Sequence, residues 1–197
     1  MMPVGSERRY TVEDYFSVEE CSPVRHEFVA GQIFAMAGGS LRHNRITGNV
    51  FAELRAALTG RGCEVFATDL RLRTPTGLYT YPDVMVLCGA VQLSADDRLE
   101  TVINPVVLVE VLSESTAAYD QGEKFRHYRS FPTLREYLLV DQYSMRVEHY
   151  HRGDGHEATS WDRQNYSAAA DIVPLASLAI EVVLAGIYAG VTPGPPS

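Results

Sequence analysis

Apolar residues at Ile46, Val50, Leu54 and Leu58 recur at helical spacing through residues 41–59, and Gly60 stops the pattern. A shorter helix is predicted over 11–20, with Thr11 as its N-cap and Asp14 three residues on. Residues 25–36 read as a hairpin, two apolar arms joined at Ala30-Gly31. Short strand patterns follow at 63–67, with 69–73 as a continuation, and at 79–88, where Pro82 near the start suits an edge or a bulge. Pro75-Thr76-Gly77 makes the turn between them. Residues 106–112, VVLVEVL, are apolar except for one glutamate, the pattern of a strand covered on both faces. A helix is predicted over 119–131, then strands at 136–141 and 145–151 joined by a tight turn. The apolar stretch 172–190 is interrupted by Pro174 and Glu181, so it reads as core helix and strand and not as a membrane span.

Helices alternate with strands along the whole chain, which predicts an α/β fold with a central mixed β-sheet flanked by helices. At 197 residues the chain is expected to form one domain, 1–197, with flexible ends at 1–10 and in the Pro-rich 192–197.

Composition changes the picture in three places. Net charge is −8, which argues against coating nucleic acid by bulk electrostatics but leaves room for a local basic groove. Carboxylates meant for a metal would themselves contribute to that negative charge. The N-terminus turns polar at once and has no signal-peptide core, and Cys21, Cys63 and Cys88 fit no zinc spacing. Free buried thiols and a cytoplasmic location are expected. Finally, of 17 Lys plus Arg only one, Lys124, is lysine. Lysine is a compact point charge and can lose its proton, which arginine cannot. Chance survival on a solvated helix face is the alternative.

Glu110 is the first chemical anomaly. A carboxylate inside an apolar strand is costly unless it is paired, protonated or bound to a cation. Alternation places Val106, Leu108, Glu110 and Leu112 on one face. Asp83 follows Pro82 at the head of the run VMVL, a position that by itself usually means a turn or cap. Together, two carboxylates on buried strands of one sheet suit a hard divalent cation, Mg2+ with Mn2+ as a substitute. Lys124 stands on the next predicted helix, with Asp120 one turn earlier and Tyr128 one turn later on the same face. An exposed Asp120–Lys124 pair over a core tyrosine is the plainer alternative. His43, beside Arg42 and Arg45 at the start of the second helix, is placed to meet a phosphate or to lie on a solvated face. Arg126 and Arg129 flank Lys124 and form either a basic rim or ordinary surface. Ser113, Ser115 and Thr116 have the makings of a helix cap, and Asp141 of a turn.

These segments resemble the bacterial Uma-two family, of the PD-(D/E)xK superfamily of restriction-endonuclease-like nucleases. The resemblance runs from about Thr11 to Tyr188. It is carried by Tyr81-Pro82-Asp83, by EVLSEST from Glu110 to Thr116, by Asp120, Lys124 and Tyr128, and by EYLLVD from Glu136, with weaker matches at HEFVAGQI from His26, at Met36 and at His43. It implies a restriction-endonuclease-like core in which Asp83 and Glu110 are the two acidic residues. The lysine of that motif belongs two positions after Glu110, where Leu112 stands, so the resemblance assigns its role to Lys124. Glu27 matches an early acidic residue that completes the metal site in related nucleases, and Ser113 and Ser115 match serines after the second strand. Glu114 departs from the family pattern, which has proline there.

The function expected from all this is metal-dependent hydrolysis of DNA phosphodiester bonds. Asp83, Glu110 and Glu27 hold the metal, Lys124 is catalytic, and Tyr128, His43, Ser113 and Asp120 support the site or the substrate. The alternative is a non-catalytic DNA- or protein-binding module on the same fold. A homodimer is expected by analogy with nucleases that cut both strands, and the hairpin 136–151 is one edge where it is expected to form.

Overall fold

The computed structural model describes residues 9–95, 99–153, 160–192 and 194. Its centre is a six-stranded mixed sheet in the order β10-β9-β8-β7-β6-β3. These strands are β3 (Cys63–Ala67), β6 (Val84–Cys88), β7 (Val107–Leu112), β8 (Glu136–Asp141), β9 (Val147–Arg152) and β10 (Trp161–Tyr166). Only β7 and β8 run parallel; the other neighbouring pairs are antiparallel. The crossover between β7 and β8 carries a broken helix, α3 (Ala117–Tyr119), a π-helical turn (Asp120–Lys124) and α4 (Phe125–Tyr128).

Each face of the sheet has its own core. Alternation sends Val107, Val109 and Val111 of β7 to one side, with Ile46, Val50, Leu54 and Leu58 of α2 (Leu41–Leu58). The same core takes in Val173 and Leu175 of β11 (Ile172–Leu175), Val182 of β12 (Ile180–Val183) and Leu184 of α5 (Leu184–Ile187). Leu108 and Leu112 face the other way, onto Phe125, Tyr128, Tyr137 and Leu139. Glu110 lies between them in the alternation, so it projects toward the broken helix. Val106 precedes β7 and packs with the α2 core, not with Leu108 as alternation suggested.

A four-stranded sheet, β2-β1-β5-β4, stands beside the first. It comprises β1 (His26–Val29), β2 (Gln32–Ala35), β4 (Leu72–Arg73) and β5 (Tyr79–Thr80). The β1–β2 turn holds Ala30 at φ 50 and Gly31 at φ 83, both left-handed, as a tight two-residue hairpin requires. α1 (Val12–Cys21) closes this sheet through Tyr15 and Phe16 packed on Phe28 and Tyr79. Its start is a full capping box, in which Asp14 N donates to Thr11 Oγ1 at 3.1 Å and Thr11 N donates to Asp14 Oδ2 at 2.9 Å.

Several expectations are corrected. Residues 79–88 form two strands in two sheets, because Pro82 ends the first ladder and the chain changes sheet at Tyr81-Pro82-Asp83. Pro82 precedes an interior strand and is not on an edge. Residues 69–73 do not continue β3, since Thr68 at φ 49 and Asp69 at φ 51 turn the chain away. The hairpin 136–151 is not an edge either; β10, absent from the sequence reading, covers β9 along its length. Cys63 and Cys88 are cross-strand partners joined as a disulfide, and Cys21 is exposed, so the expected buried free thiols are not found. Most of the ends expected to be flexible, 1–10 and 192–197, lie outside the described residues; of the rest, Tyr10 N donates to Gly31 O at 2.8 Å and Gly194 O accepts from Arg42. No helix among the described residues is long and apolar enough to cross a membrane.

Candidate active site

Strand register brings the two anomalous carboxylates together. β6 and β7 pair with Val84 opposite Val109 and Met85 opposite Leu108, so one step further Asp83 stands across from Glu110. Asp83 is just before β6, not within it. Its Oδ2 accepts from Val111 N at 2.7 Å and lies 3.2 Å from His43 Nε2. Ser40 caps α2 by accepting from His43 N, and this fixes the turn that aims the His43 ring at Asp83. His43 thus meets a carboxylate. Its two neighbours are engaged elsewhere, Arg42 with Gly194 O at 2.7 Å and Arg45 with Gly190 O at 2.8 Å.

Lys124 Nζ sits inside a ring of three carboxylates. It lies 2.9 Å from Glu110 Oε1, 3.1 Å from Glu27 Oε1 and 3.4 Å from Asp120 Oδ1. All four residues are under 9% exposed. The helix predicted over 119–131 ends earlier, at Tyr128, and is wound one residue wider through Asp120–Lys124. Such a π-turn is a recurrent feature of functional sites. Both of its ends are buried, so Asp120–Lys124 is not an exposed helix pair. Tyr128 OH donates to Glu110 Oε1 at 2.6 Å, and Thr80 Oγ1 donates to Glu27 Oε1 from β5. Ser113, Ser115 and Thr116 form a hydroxyl cluster in the loop after β7. There Ser113, not Thr116, provides the side-chain contact at the helix start, its Oγ accepting from Thr116 N at 3.2 Å. Asp141 is a turn residue, accepting from Tyr143 N at 2.7 Å.

Arg126 and Arg129 do not rim this site. They point away from buried Lys124, into a cleft shared with Arg152 and Trp161. Thr80 and Tyr119 were missed by the sequence reading. Thr80 is next to Tyr79, which pairs with Phe28, so it faces Glu27 only once β1 and β5 are registered. The Tyr119 hydroxyl is buried close to the Glu27 carboxylate, and its ring centroid is 6.0 Å from Lys124 Nζ. Nothing in the spacing of residues 79–80 or 119 distinguishes them.

The electrostatics follow from burial. Burial pushes the Glu110 carboxyl up to about 8, assisted by the charges of Asp120 and Asp83 and opposed by Lys124 and Tyr128. Asp120 is also raised, by burial first, against the pull of Lys124. Burial disfavours the Lys124 charge, but Glu110, Tyr128, Glu27 and Asp120 outweigh it and hold its pKa well above 10.5. The lysine property that counts here is therefore the compact fixed charge, not an available lone pair. Burial lowers the His43 pKa, but its contact with Asp83 more than offsets this, and the imidazole is raised above 6.5.

Asp83 and Glu110 are the residues that could hold a hard divalent cation. Asp83 Oδ2 and Glu110 Oε1 are engaged as described, whereas Asp83 Oδ1 and Glu110 Oε2 take no protein hydrogen bond or ion pair among the described residues. When Glu110 and Asp120 are ionised, one ammonium faces three carboxylates, which leaves an excess of negative charge beside Glu110 Oε2. Among the described residues no three His, Cys, Asp or Glu side chains are arranged to hold a metal ion by themselves.

Comparison with known proteins agrees with this fold. The family model described as "Uma2: Putative restriction endonuclease" matches residues 12–185. The "Uncharacterized protein sll1609" of Synechocystis sp. (strain ATCC 27184 / PCC 6803 / Kazusa) is 39% identical over 153 residues, 77% of this chain and 86% of the relative. From the same organism, the "Uncharacterized protein slr1290" is 38% identical over 181 residues, 90% of each chain. The crystal structure of "a putative nuclease belonging to DUF820" from Anabaena variabilis ATCC 29413 superposes with a TM-score of 0.70 at 15% identity, covering 87% of this chain and 93% of that one.

Proposed function

The chain belongs to the Uma2 family of putative restriction endonucleases, and from that premise we propose that it is a metal-dependent endonuclease hydrolysing DNA phosphodiester bonds. The observation that carries this reading is the pair of unclaimed oxygens, Asp83 Oδ1 and Glu110 Oε2, set across one strand pair beside the Lys124 ammonium. Asp83 and Glu110 hold magnesium or manganese, with Glu27 close by through Lys124. Bound there, the ion neutralises phosphate charge and lowers the pKa of a water. Val111 N and His43 fix the Asp83 carboxylate, and Tyr128 fixes Glu110. Lys124, kept protonated by its neighbours, is a pre-oriented positive charge for the oxygens of the phosphate in transfer and for the attacking water. Asp120 and Glu27 hold that ammonium in place. Ser113 lies in the loop after β7 and is a candidate hydrogen-bond donor to substrate. A cytoplasmic location goes with a DNA substrate. A homodimer able to cut both strands would meet through an edge such as β10.

One observation favours the non-catalytic reading: the ring of three carboxylates around Lys124 is also what a purely structural ion-pair lock would look like. Magnesium and manganese titration into wild type and Glu110→Gln by calorimetry, with DNA cleavage assayed on the same samples, separates the two. Binding and cleavage by wild type alone support the nuclease. Metal binding without cleavage supports the binding module, and no metal binding in either protein refutes the metal site.

A further inference from the structure

On the far side of α4 from Lys124 is a cleft of about 550 Å³ lined by Arg126, Arg129, Ser130, Phe131, Pro132, Arg152 and Trp161. Its charge balance is the reverse of the chain's. In a protein of net charge −8, three guanidinium groups share one concavity. Their only acidic partner among the described residues is Glu123, 3.7 Å from Arg126, with both side chains more than half exposed. Such a pair is worth little and is easily exchanged for another anion.

Arg152 is the fixed point. It donates to Phe131 O at 2.7 Å and to Arg129 O at 2.9 Å, and it meets no carboxylate among the described residues. Its Nε is buried and has no hydrogen-bond partner among the described residues. Burial and the charge of Arg135 both lower its pKa. Its guanidinium lies 5.1 Å from the centroid of the Trp161 ring, which is half-buried beside it and meets Phe125 edge-on at 5.3 Å. Arg129 in turn lies 6.0 Å from the Phe125 ring. Aromatic rings therefore hold two of the guanidinium groups in place without neutralising either.

Phosphate esters meet this arrangement. Arginine forks match phosphate oxygens, and a nearby aromatic surface suits a nucleotide more than a bare anion. We propose that the Arg126–Arg129–Arg152 cleft binds the phosphate backbone of a nucleic-acid strand, a holding site separate from the cleavage centre. The proposal rests on the nuclease reading for its choice of ligand. Arg126 and Arg129 are the adjustable contacts, because both are exposed; Arg152 supplies the fixed charge.

Trp161 is the only tryptophan in the chain and lines this cleft, so a ligand bound there changes the one tryptophan signal. The test is a titration with single-stranded oligodeoxythymidylate in EDTA, which makes the result independent of any metal. The expected result is a saturable change at Trp161 whose binding constant falls with salt with a log–log slope of about −2, for three phosphates on a single strand. Arg126→Ala/Arg129→Ala should weaken binding roughly tenfold and reduce the slope by about 1.4, whereas Arg126→Lys/Arg129→Lys should keep most of the slope. Binding with no change at Trp161, or with equal affinity in the alanine variant, overturns the proposal, as does the absence of binding. Inorganic phosphate matching the oligonucleotide at equal concentration overturns nucleic acid as the ligand. Oligonucleotide binding at the cleft together with no metal-dependent cleavage by wild type would sink the nuclease reading and leave the cleft standing.

Discussion

Glu110→Gln provides a direct test of the electrostatics at the centre of the fold. The side chain is 4% exposed, and burial raises its pKa from 4.5 to about 8 despite an ammonium 2.9 Å away. A carboxyl that holds its proton more tightly folded than unfolded makes the folded state the better proton binder between those two values. Stability must then fall as pH rises from about 4.5 to about 8, and stay low above it. At about 1.4 kcal/mol per pKa unit, the full swing is roughly 5 kcal/mol. That is a ceiling, since Glu27 and Asp120 can close on Lys124 in the variant. Glutamine keeps an oxygen for Tyr128 and cannot ionise. The stability of wild type minus that of Glu110→Gln should therefore decrease by about 1.4 kcal/mol per pH unit within the window. Urea denaturation from pH 5 to 9 in EDTA, followed by Trp161 fluorescence, measures it. A difference that does not change with pH would refute the reasoning, because it would mean that Lys124 fully offsets burial and that Glu110 ionises as an ordinary carboxylate.

Tyr128→Phe removes the 2.6 Å bond to Glu110 and should cost about 1–3 kcal/mol of stability, with the stability window of Glu110 extending to higher pH. Asp83→Asn should return the His43 pKa toward 6.5 in an NMR titration; in wild type, the His43–Asp83 contact contributes stability below pH 6.5 that is lost as pH rises through the raised value. Cys63→Ser/Cys88→Ser opens a link spanning 25 residues and should cost about 3.5 kcal/mol in chemical denaturation, the same loss that reductant causes in wild type. Lys124→Met leaves three carboxylates facing one another and should cost about 3–5 kcal/mol at neutral pH, with part of it recovered in acid as they protonate.

Much of this arrangement was legible in the chain because single residues broke a pattern. Glu110 interrupts an apolar run, and Lys124 is the one lysine among arginines. Helical periodicity located α2, a capping signal located α1, a continuous apolar run located β7, and a turn between two apolar arms located the β1–β2 hairpin. Sites that depend on register were not legible. Thr80 meets Glu27, and Cys63 meets Cys88, only after strands far apart in sequence have paired. β10 escaped because WDRQNY carries few apolar residues, as suits an edge strand half open to water. Residues 79–88 misled because one β-prone run serves two sheets, and only the proline inside it marks the change. The π-turn was invisible, because Asp120, Lys124 and Tyr128 keep the four-residue spacing of an ordinary helix.

The solitary lysine has a use beyond chemistry at the site. It is the only ε-amino group of the chain, and it is 4% exposed behind three carboxylates. Acylating reagents, and the enzymes that acetylate or ubiquitinate lysine side chains, therefore find no such handle on the folded surface. Modification of Lys124 can proceed only while the crossover between β7 and β8 is open. Its rate is a clock for that opening, readable from one peptide by mass spectrometry without any engineered label.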